Sequence, residues 1–496
     1  MSTTVTDTSA GGWTPRLAFS ACVMILILEA TSLGFLLVSV ALPQVSQHFQ
    51  TTQGGWLITA YVLSGAVLSP LMGKLADILG KRKVMVICLS VSLVGAIITT
   101  AAPTFGVLIL GRFLQGATIP TMFLSYSLMR DVYPTRILAL ATSMSMTGIG
   151  VFSIGTPFLV GALLDTWGFR ALFAFDIAWL AVLIPLLVVT TPESPVRHRS
   201  KVDVLGAASL GLGLCIVLAA ISLGNTWGWT SAATLGGIAL GLVLLVCFVV
   251  RSLRYSAPIV NLRIFTTRAI LLAVVTAAAA QSMSGNFWAM SPIIAQTPRE
   301  VGGDYGLGLT ALEFGWLSAP QALLIVLAGI MVGKLTNKVG AALLMNVGLV
   351  MMMIGGVLIG FSSDTFGGLL TACAVTGIGC GLCWGTLPAL VISGTTPENQ
   401  ATIAGMVQVS YSSFSAITPV VLFIILGSYA TIASDGFVVY SAEAFQWGGI
   451  LMAGVLAVAL LLALTVLRGR RQDSMIVDRD RLAEQIVPAD VPVPGR

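Results

Sequence analysis

Charge is what this sequence has least of. Of its 496 residues only 9% are Asp, Glu, Lys or Arg, against about 25% in a soluble domain, which excludes a water-soluble globular protein. Histidine is nearly absent: the two, His48 and His198, fall in connections that the topology below sets on opposite sides of a membrane. They cannot meet, so a histidine-built metal centre or catalytic cluster is excluded, and with it an integral membrane enzyme; no cofactor is expected. No G-x-x-x-x-G-K-[ST] phosphate loop occurs, which excludes a nucleotide-driven pump. The seven cysteines, Cys22, Cys88, Cys215, Cys247, Cys373, Cys380 and Cys383, all lie within apolar segments, and none is placed to staple an external loop. Cys380 and Cys383 form a C-x-x-C, but inside a Gly-rich helix and not beside a βαβ pattern, so packing is the role expected of them. Ten-residue segments of alternating polarity are missing too, which excludes a membrane β-barrel.

What the chain does have is apolar length. Residues of apolar type make up 56% of it, and mean hydropathy is +0.97. A helix needs about 20 apolar residues to cross a bilayer, and fourteen such runs are predicted, near 17–42, 55–73, 84–102, 104–129, 137–164, 170–190, 203–224, 230–250, 269–296, 310–333, 340–361, 367–393, 401–428 and 446–467. Helices satisfy their backbone groups within each segment, so an all-α membrane protein of fourteen transmembrane helices is expected. The first run is too long for the apolar core of a secretory signal and lacks a cleavage site, and is read as retained. With the N-terminus inside, the connections on the outer side carry only Arg170 and Arg299, and Arg112 lies within a span; the rest of the 25 Lys and Arg fall inside. That asymmetry predicts a multi-pass protein of the cell (inner) membrane with both termini cytoplasmic. The net charge of +5 is then a product of topology, and nucleic acid is not an expected partner.

Residues 73–84 read Gly-Lys-Leu-Ala-Asp-Ile-Leu-Gly-Lys-Arg-Lys-Val, and an imperfect echo, Gly-Lys-Leu-Thr-Asn-Lys-Val-Gly, returns at 333–340 after a corresponding apolar run. This is an internal duplication, the way secondary transporters are commonly built, with a substrate site near the midplane where the halves meet. Aligning Lys334 with Lys74 starts the second half near Ala269. The expected organisation is a cytoplasmic tail at 1–16, a six-helix bundle at 17–190, an inserted two-helix region at 191–268, a second, pseudo-symmetric six-helix bundle at 269–467 and a charged, Pro-bearing tail at 468–496 too polar to bury a core.

Several segments carry a family resemblance. They are Val40-Ala41-Leu42-Pro43, Trp56-Leu57-Ile58-Thr59-Ala60-Tyr61, Gly73 through Arg82, Gly111-Arg112-Phe113-Leu114-Gln115-Gly116, and Arg130-Asp131 with Pro134 and Arg136. Over 17–467 the chain resembles the major facilitator superfamily, and within it the fourteen-span drug:proton antiporters. The loop signature at 73–82 is the most specific of these segments. Two segments depart from the pattern. The first span of that family often carries an acid nine positions before the proline, where this chain has Gly34, with Glu29 earlier. The fifth-span antiporter motif keeps Pro157 and Gly161, but Thr156 and Val160 stand in place of glycines.

Intramembrane charge is costly and points to function. The candidates for proton coupling are Glu29, Arg112 and Asp176: Glu29 would take and give a proton, with Arg112 competing for it, although a static buried pair or a plain hydrogen bond to a neighbouring helix fits the same residues. Gly73, Asp77, Gly80, Lys81, Arg82, Arg130 and Asp131 are read as a conformational latch at the cytoplasmic ends of the helices, with Asp77 docking on a helix N-terminus of the other half and favouring the outward-open state. Asn337 replaces that acid in the echo. Gln115, Gln281, Ser284, Asn286, Trp288, Gln408 and Tyr411 are candidates to line a central cavity, with interhelical hydrogen bonding an equal account of the serines beside them. Pro157 and Gly161 are expected to bend the fifth span, and Gly377, Gly381 and Gly385 to bring the twelfth close to a neighbour.

These residues predict a secondary active transporter that works as a monomer, using a proton gradient to export small hydrophobic or amphipathic compounds by alternating access. Proton- or sodium-coupled uptake of a small metabolite is the alternative carrier, and a channel or membrane sensor the alternative outside carriers.

Overall fold

In a computed structural model of the protein, the structure describes residues 14–195, 203–255, 268–302, 305–362, 364–393, 400–432 and 438–467. Among these the chain forms fourteen long helices: α1 (Pro15–His48), α2 (Trp56–Leu79), α3 (Lys81–Ala101), α4 (Phe105–Val132), α5 (Thr135–Trp167), α6 (Phe169–Thr190), α7 (Val204–Ser222), α8 (Ala232–Arg254), α9 (Arg268–Gln296), α10 (Ala311–Val339), α11 (Ala341–Phe361), α12 (Phe366–Ser393), α13 (Gln400–Ser428) and α14 (Ala442–Leu467). Eleven of them are long and apolar enough over their described residues to cross a membrane. The tails predicted at 1–16 and 468–496 lie outside the described residues, apart from the first turn of α1. To the expected all-α architecture the structure adds two one-turn helices, Gly224–Trp227 and Arg299–Gly302, and one antiparallel hairpin, β1 (Ala430–Ile432) with β2 (Val438–Tyr440), in which Ala430 faces Tyr440. Its second strand is the β-branched and aromatic run Val438-Val439-Tyr440, too short for a helix.

Polar residues set where helices start. Thr14 accepts from Leu17 N ahead of Pro15, Ser231 from Thr234 N and Asp203 from Gly206 N, each taking up one of the donors that a helix N-terminus leaves open. Three helix pairs join through a single glycine, α5–α6 at Gly168 and two more that belong to the repeated motif. Gly80 ends α2 and precedes α3 with φ +106°, and Gly340 ends α10 and precedes α11 with φ +84°. A side chain is strained there. The duplicated motif therefore ends in the same backbone turn at both copies, and each copy leads into a helix of 21 residues. Gly95 and Gly355 stand at the same place in those two helices, and each has no room for a side chain against the helix that follows.

The helix α4 is broken by a 3-10 turn at Gly116–Thr118. Pro120 explains it, since proline neither donates to the Gly116 carbonyl nor tolerates it at helical distance. Lipid is as apolar as any core, so close approach of small residues holds such bundles together. The predicted glycine stripe of α12 does this on α10: a Cβ on Gly377 would lie 2.7 Å from the Gln321 carbonyl oxygen, and one on Gly381 2.4 Å from that of Ile325. Between the copies of the repeat, α5 runs along α10, α2 along α13 and α1 along α9. The pair α7–α8 packs on itself, on α2 and, to a lesser extent through α7, on α13, with most of α8 facing outward. The face where α1 begins is called the near face below, and the face where α1 ends, the far face.

Candidate functional site

The centre of the first six helices holds a fully buried charge network. Arg112 in α4 donates through Nη2 to the Gly34 carbonyl in α1 (2.7 Å), through Nε to the Leu57 carbonyl in α2 (3.3 Å), and through Nη1 to Gln115 Oε1 (2.9 Å). Its guanidinium also lies 4.6 Å from the centre of the Tyr61 ring, within cation–π range. Gln115 Nε2 in turn donates to Asp176 Oδ2 in α6 at 2.8 Å. Arginine and aspartate thus meet through an amide whose two ends are oriented by the two charges. Expected on the cavity wall, Gln115 is instead buried in this network, with both ends of its amide engaged.

Glu29 is just as buried, but it stands apart from Arg112. Its Oε1 accepts from Thr156 Oγ1 of α5 at 3.3 Å, and among the described residues its Oε2 has no partner and it makes no ion pair. The Thr156 hydroxyl also lies 2.7 Å from the Phe152 carbonyl. Its single proton serves one of the two acceptors at a time. While that proton is on Phe152, Thr156 Oγ1 is an acceptor, and the proton of a protonated Glu29 has a place to go. Either charge state of Glu29 therefore finds a partner in Thr156.

At the near face the predicted latch residues form a cluster within the first half. Lys81 is ion-paired with Asp131, which also accepts from Ser194 Oγ; Arg130 is exposed and 3.8 Å from Asp131. Arg82 donates to the Val188 and Thr191 carbonyls at the end of α6. Glu193, which sequence reasoning missed, accepts from Arg82 N (2.9 Å) and Lys83 N (3.1 Å), capping α3 from the segment after α6. Gly80 must lack a side chain for this, because its Cβ would sit 2.7 Å from the Glu193 carboxyl carbon. Gly73 packs beside Phe123, and Asp77 lies in electrostatic reach of Lys74, as does Asp203.

The cavity candidates of the second half divide. Ser284 is buried; it donates to the Gln281 carbonyl in its own helix and is also a side-chain hydrogen-bond partner of Cys380 in α12, so it does bond between helices. Asn286 Nδ2 reaches the Thr418 carbonyl of α13 at 3.4 Å, while its Oδ1 has no partner among the described residues. Trp288 is half-buried and joins the two halves: its ring is 5.8 Å from Phe35 of α1 and 5.8 Å from Trp384 of α12, edge to face in both cases. Tyr411 is half-buried on α13; the side chain of Gln408 lies outside the described residues, as does that of Asn337. Trp384 was not singled out from the sequence, where nothing distinguishes a tryptophan in a Gly- and Cys-rich apolar run from a packing residue.

The family model described as Major Facilitator Superfamily matches residues 23–419 and 270–486. The chain belongs to that superfamily. It is a membrane transporter and not an enzyme. Among curated proteins, "Multidrug resistance protein Stp" of Mycobacterium tuberculosis is 27% identical over 423 residues, covering 82% of this chain and 75% of that one. "Probable actinorhodin transporter" of Streptomyces coelicolor is 25% identical over 399 residues, covering 77% and 68%. Among solved structures, a bacterial homologue of the human lysosomal transporter Spinster, in an inward-facing and unoccupied conformation, matches 93% of this chain and all of that one, with a TM-score of 0.65 and 15% identity. At that identity the likeness shows the fold.

In this facilitator the acid that the first span does carry, Glu29, meets one of the two substitutions in the fifth-span motif. Thr156, standing where the fifth-span motif has a glycine, is the residue that hydrogen-bonds Glu29. At Gly34, where the family often has an acid, a Cβ would fall 2.7 Å from the Tyr61 hydroxyl, and the Gly34 carbonyl is taken by Arg112. Pro157 lies inside the uninterrupted helix α5, and Gly161 gives up its side chain to the start of α10, 2.5 Å from the Ala311 carbonyl oxygen. Tyr305 and Tyr440 pack around Phe445 at the far face, and burial pushes both phenols above their ordinary value, so this cluster stays neutral.

Proposed function

We propose that this facilitator exports small hydrophobic or amphipathic compounds in exchange for protons, by alternating access of two pseudo-symmetric six-helix bundles, 17–190 and 269–467, with 191–268 as an inserted pair and the near face in the cytoplasm. It acts as a monomer in the cell membrane. The names of the two curated relatives support the efflux reading. The observation that carries proton coupling is the pair Glu29–Thr156. A buried carboxylate with one open oxygen, and a hydroxyl able to donate or accept, can gain and lose a proton without a counter-ion moving with it. Asp176 and Arg112 balance one another through Gln115 and hold the first bundle together around that site. Phe35, Trp288 and Trp384 offer aromatic surface to an apolar substrate where the halves meet. The near-face cluster of Asp77, Lys81, Arg82, Arg130 and Asp131 locks onto the second half when the far face opens.

The test is uptake of a fluorescent amphipathic cation into inverted vesicles under an imposed pH gradient. Wild type should accumulate it, and Glu29→Gln should lose at least about tenfold of the gradient-driven rate, a typical cost of removing a proton-transfer group being larger still. Thr156→Val, which keeps the shape and removes the hydroxyl, should shift the pH dependence. Glu29→Gln transport with wild-type pH dependence overturns the coupling role, and no uptake by wild type overturns export of such compounds.

A further inference from the structure

The far face holds the halves together through one carboxylate. Asp165, in the last turn of α5, accepts from the backbone N–H groups of Ala311 (3.1 Å) and Leu312 (2.8 Å) at the start of α10. The helix α10 already has a capping box of its own: Thr310 Oγ1 accepts from Glu313 N, and Glu313 Oε2 from Thr310 N. Of the four donors from Thr310 to Glu313, two are thus met within α10 and two by Asp165, 146 and 147 residues away in the chain. One turn before Asp165, bare Gly161 lets the start of α10 rest on α5. A second tie crosses the same face, from Gln296 Nε2 to the Val40 carbonyl at 2.9 Å. Beside both lies a cleft of about 470 Å³ lined by Gln44, Gln47, His48, Asp165, Phe169 and Thr310, so water reaches the contact.

We propose that Asp165 is a positioning residue of the transport cycle: it clasps the far face shut by capping α10 in trans, and lets go each time that face opens. Carboxylate and helix N-terminus attract through the open N–H groups and the positive end of the helix dipole. On opening, both turn to the water already in the cleft, and the two donors held in cis stay satisfied, so α10 does not fray as the halves part. This inference rests on alternating access; it needs neither the proton nor the substrate class.

Spin labels at Gly106→Cys, at the far end of α4, and Glu443→Cys, at the start of α14, both exposed, report far-face separation by double electron–electron resonance. The exposed Cys22 and Cys247 are first replaced by Ser. Asp165→Ala should raise the ratio of the long to the short distance about fivefold, the effect of losing a helix cap. Asp165→Asn, which keeps one acceptor and the shape, should raise it less. Glu313→Ala removes the cis cap at the same helix end and should leave the ratio within about twofold of wild type. An unchanged ratio in both Asp165 variants overturns the clasp, and so does an equal shift in Glu313→Ala, which would reduce Asp165 to one more cap on α10. Transport is not the readout, so failure here is distinct from failure of the proton-coupling test.

Discussion

Gly34 shows how much one missing side chain does. Its carbonyl anchors Arg112, and its bare Cα lets the Tyr61 hydroxyl lie close enough to α1 to donate to the Thr31 carbonyl (3.0 Å) while bonding Thr118 Oγ1 (2.8 Å). Gly34→Ala pushes a methyl group into that hydroxyl. Overpacking of this kind costs about 1–3 kcal/mol, and a matching fall in thermal midpoint in detergent is expected. Adding Tyr61→Phe removes the clashing oxygen, so the double variant should be more stable than the sum of the singles; strict additivity would show that the contact is not what fixes Gly34. From the sequence Gly34 reads only as a missing acid. Which charge Arg112 would find was equally hidden, because Gln115 and Asp176 are joined across helices and no spacing links them. Glu29 was legible as a costly buried acid, whereas Thr156 as its partner was not, since one threonine among many marks no contact.

Helix ends follow the same division between local and distant information. The capping box of Thr310 and Glu313 can be read three residues apart, and the glycine joint at Gly80 and Gly340 from its repetition. Spans were placed by hydrophobic length alone, which is why fourteen were anticipated with ends a few residues off. The caps supplied in trans were invisible: Glu193 reaches α3 across 111 residues of chain, and Asp165 reaches α10 across 146. Both do the same chemistry, yet Glu193 ties two elements of one half while Asp165 ties the two halves. Glu193→Ala should therefore cost stability, about 1 kcal/mol as for other caps, seen as a lower thermal midpoint, and should leave the far-face distance distribution as it is. A shift in that distribution would mean that α3 itself takes part in opening the far face.

At the scale of the whole molecule, the alternating access proposed above requires the pair α7–α8 to travel with one half or the other, and its contacts bear on which. At the far face Trp56 Nε1 of α2 donates to Ser222 Oγ of α7 at 2.7 Å. At the near face Asp203, which caps α7, is paired with Arg251 of α8 at 2.6 Å and lies in electrostatic reach of Lys74 of α2. Midway, Gly211 leaves no side chain between α7 and Val67 of α2. The pair is thus gripped along the full length of α2, a helix that, like α7 to a lesser extent, also runs along α13 and on the proposed opening would slide or part from it. On that proposal, a pair held this way is expected to stiffen α2 and to move with the first half. Trp56→Phe leaves the Ser222 hydroxyl unmatched, and Asp203→Asn keeps the helix cap but ends the charge pairing; each costs about 1 kcal/mol, and together they release both ends of the pair. Hydrogen exchange in the double variant should rise across 204–222 and 232–254 and stay at the wild-type level in α9 to α14. An equal rise in the second half would show that the insert braces the interface between the halves, and protection unchanged throughout would show that packing at Gly211 alone carries it.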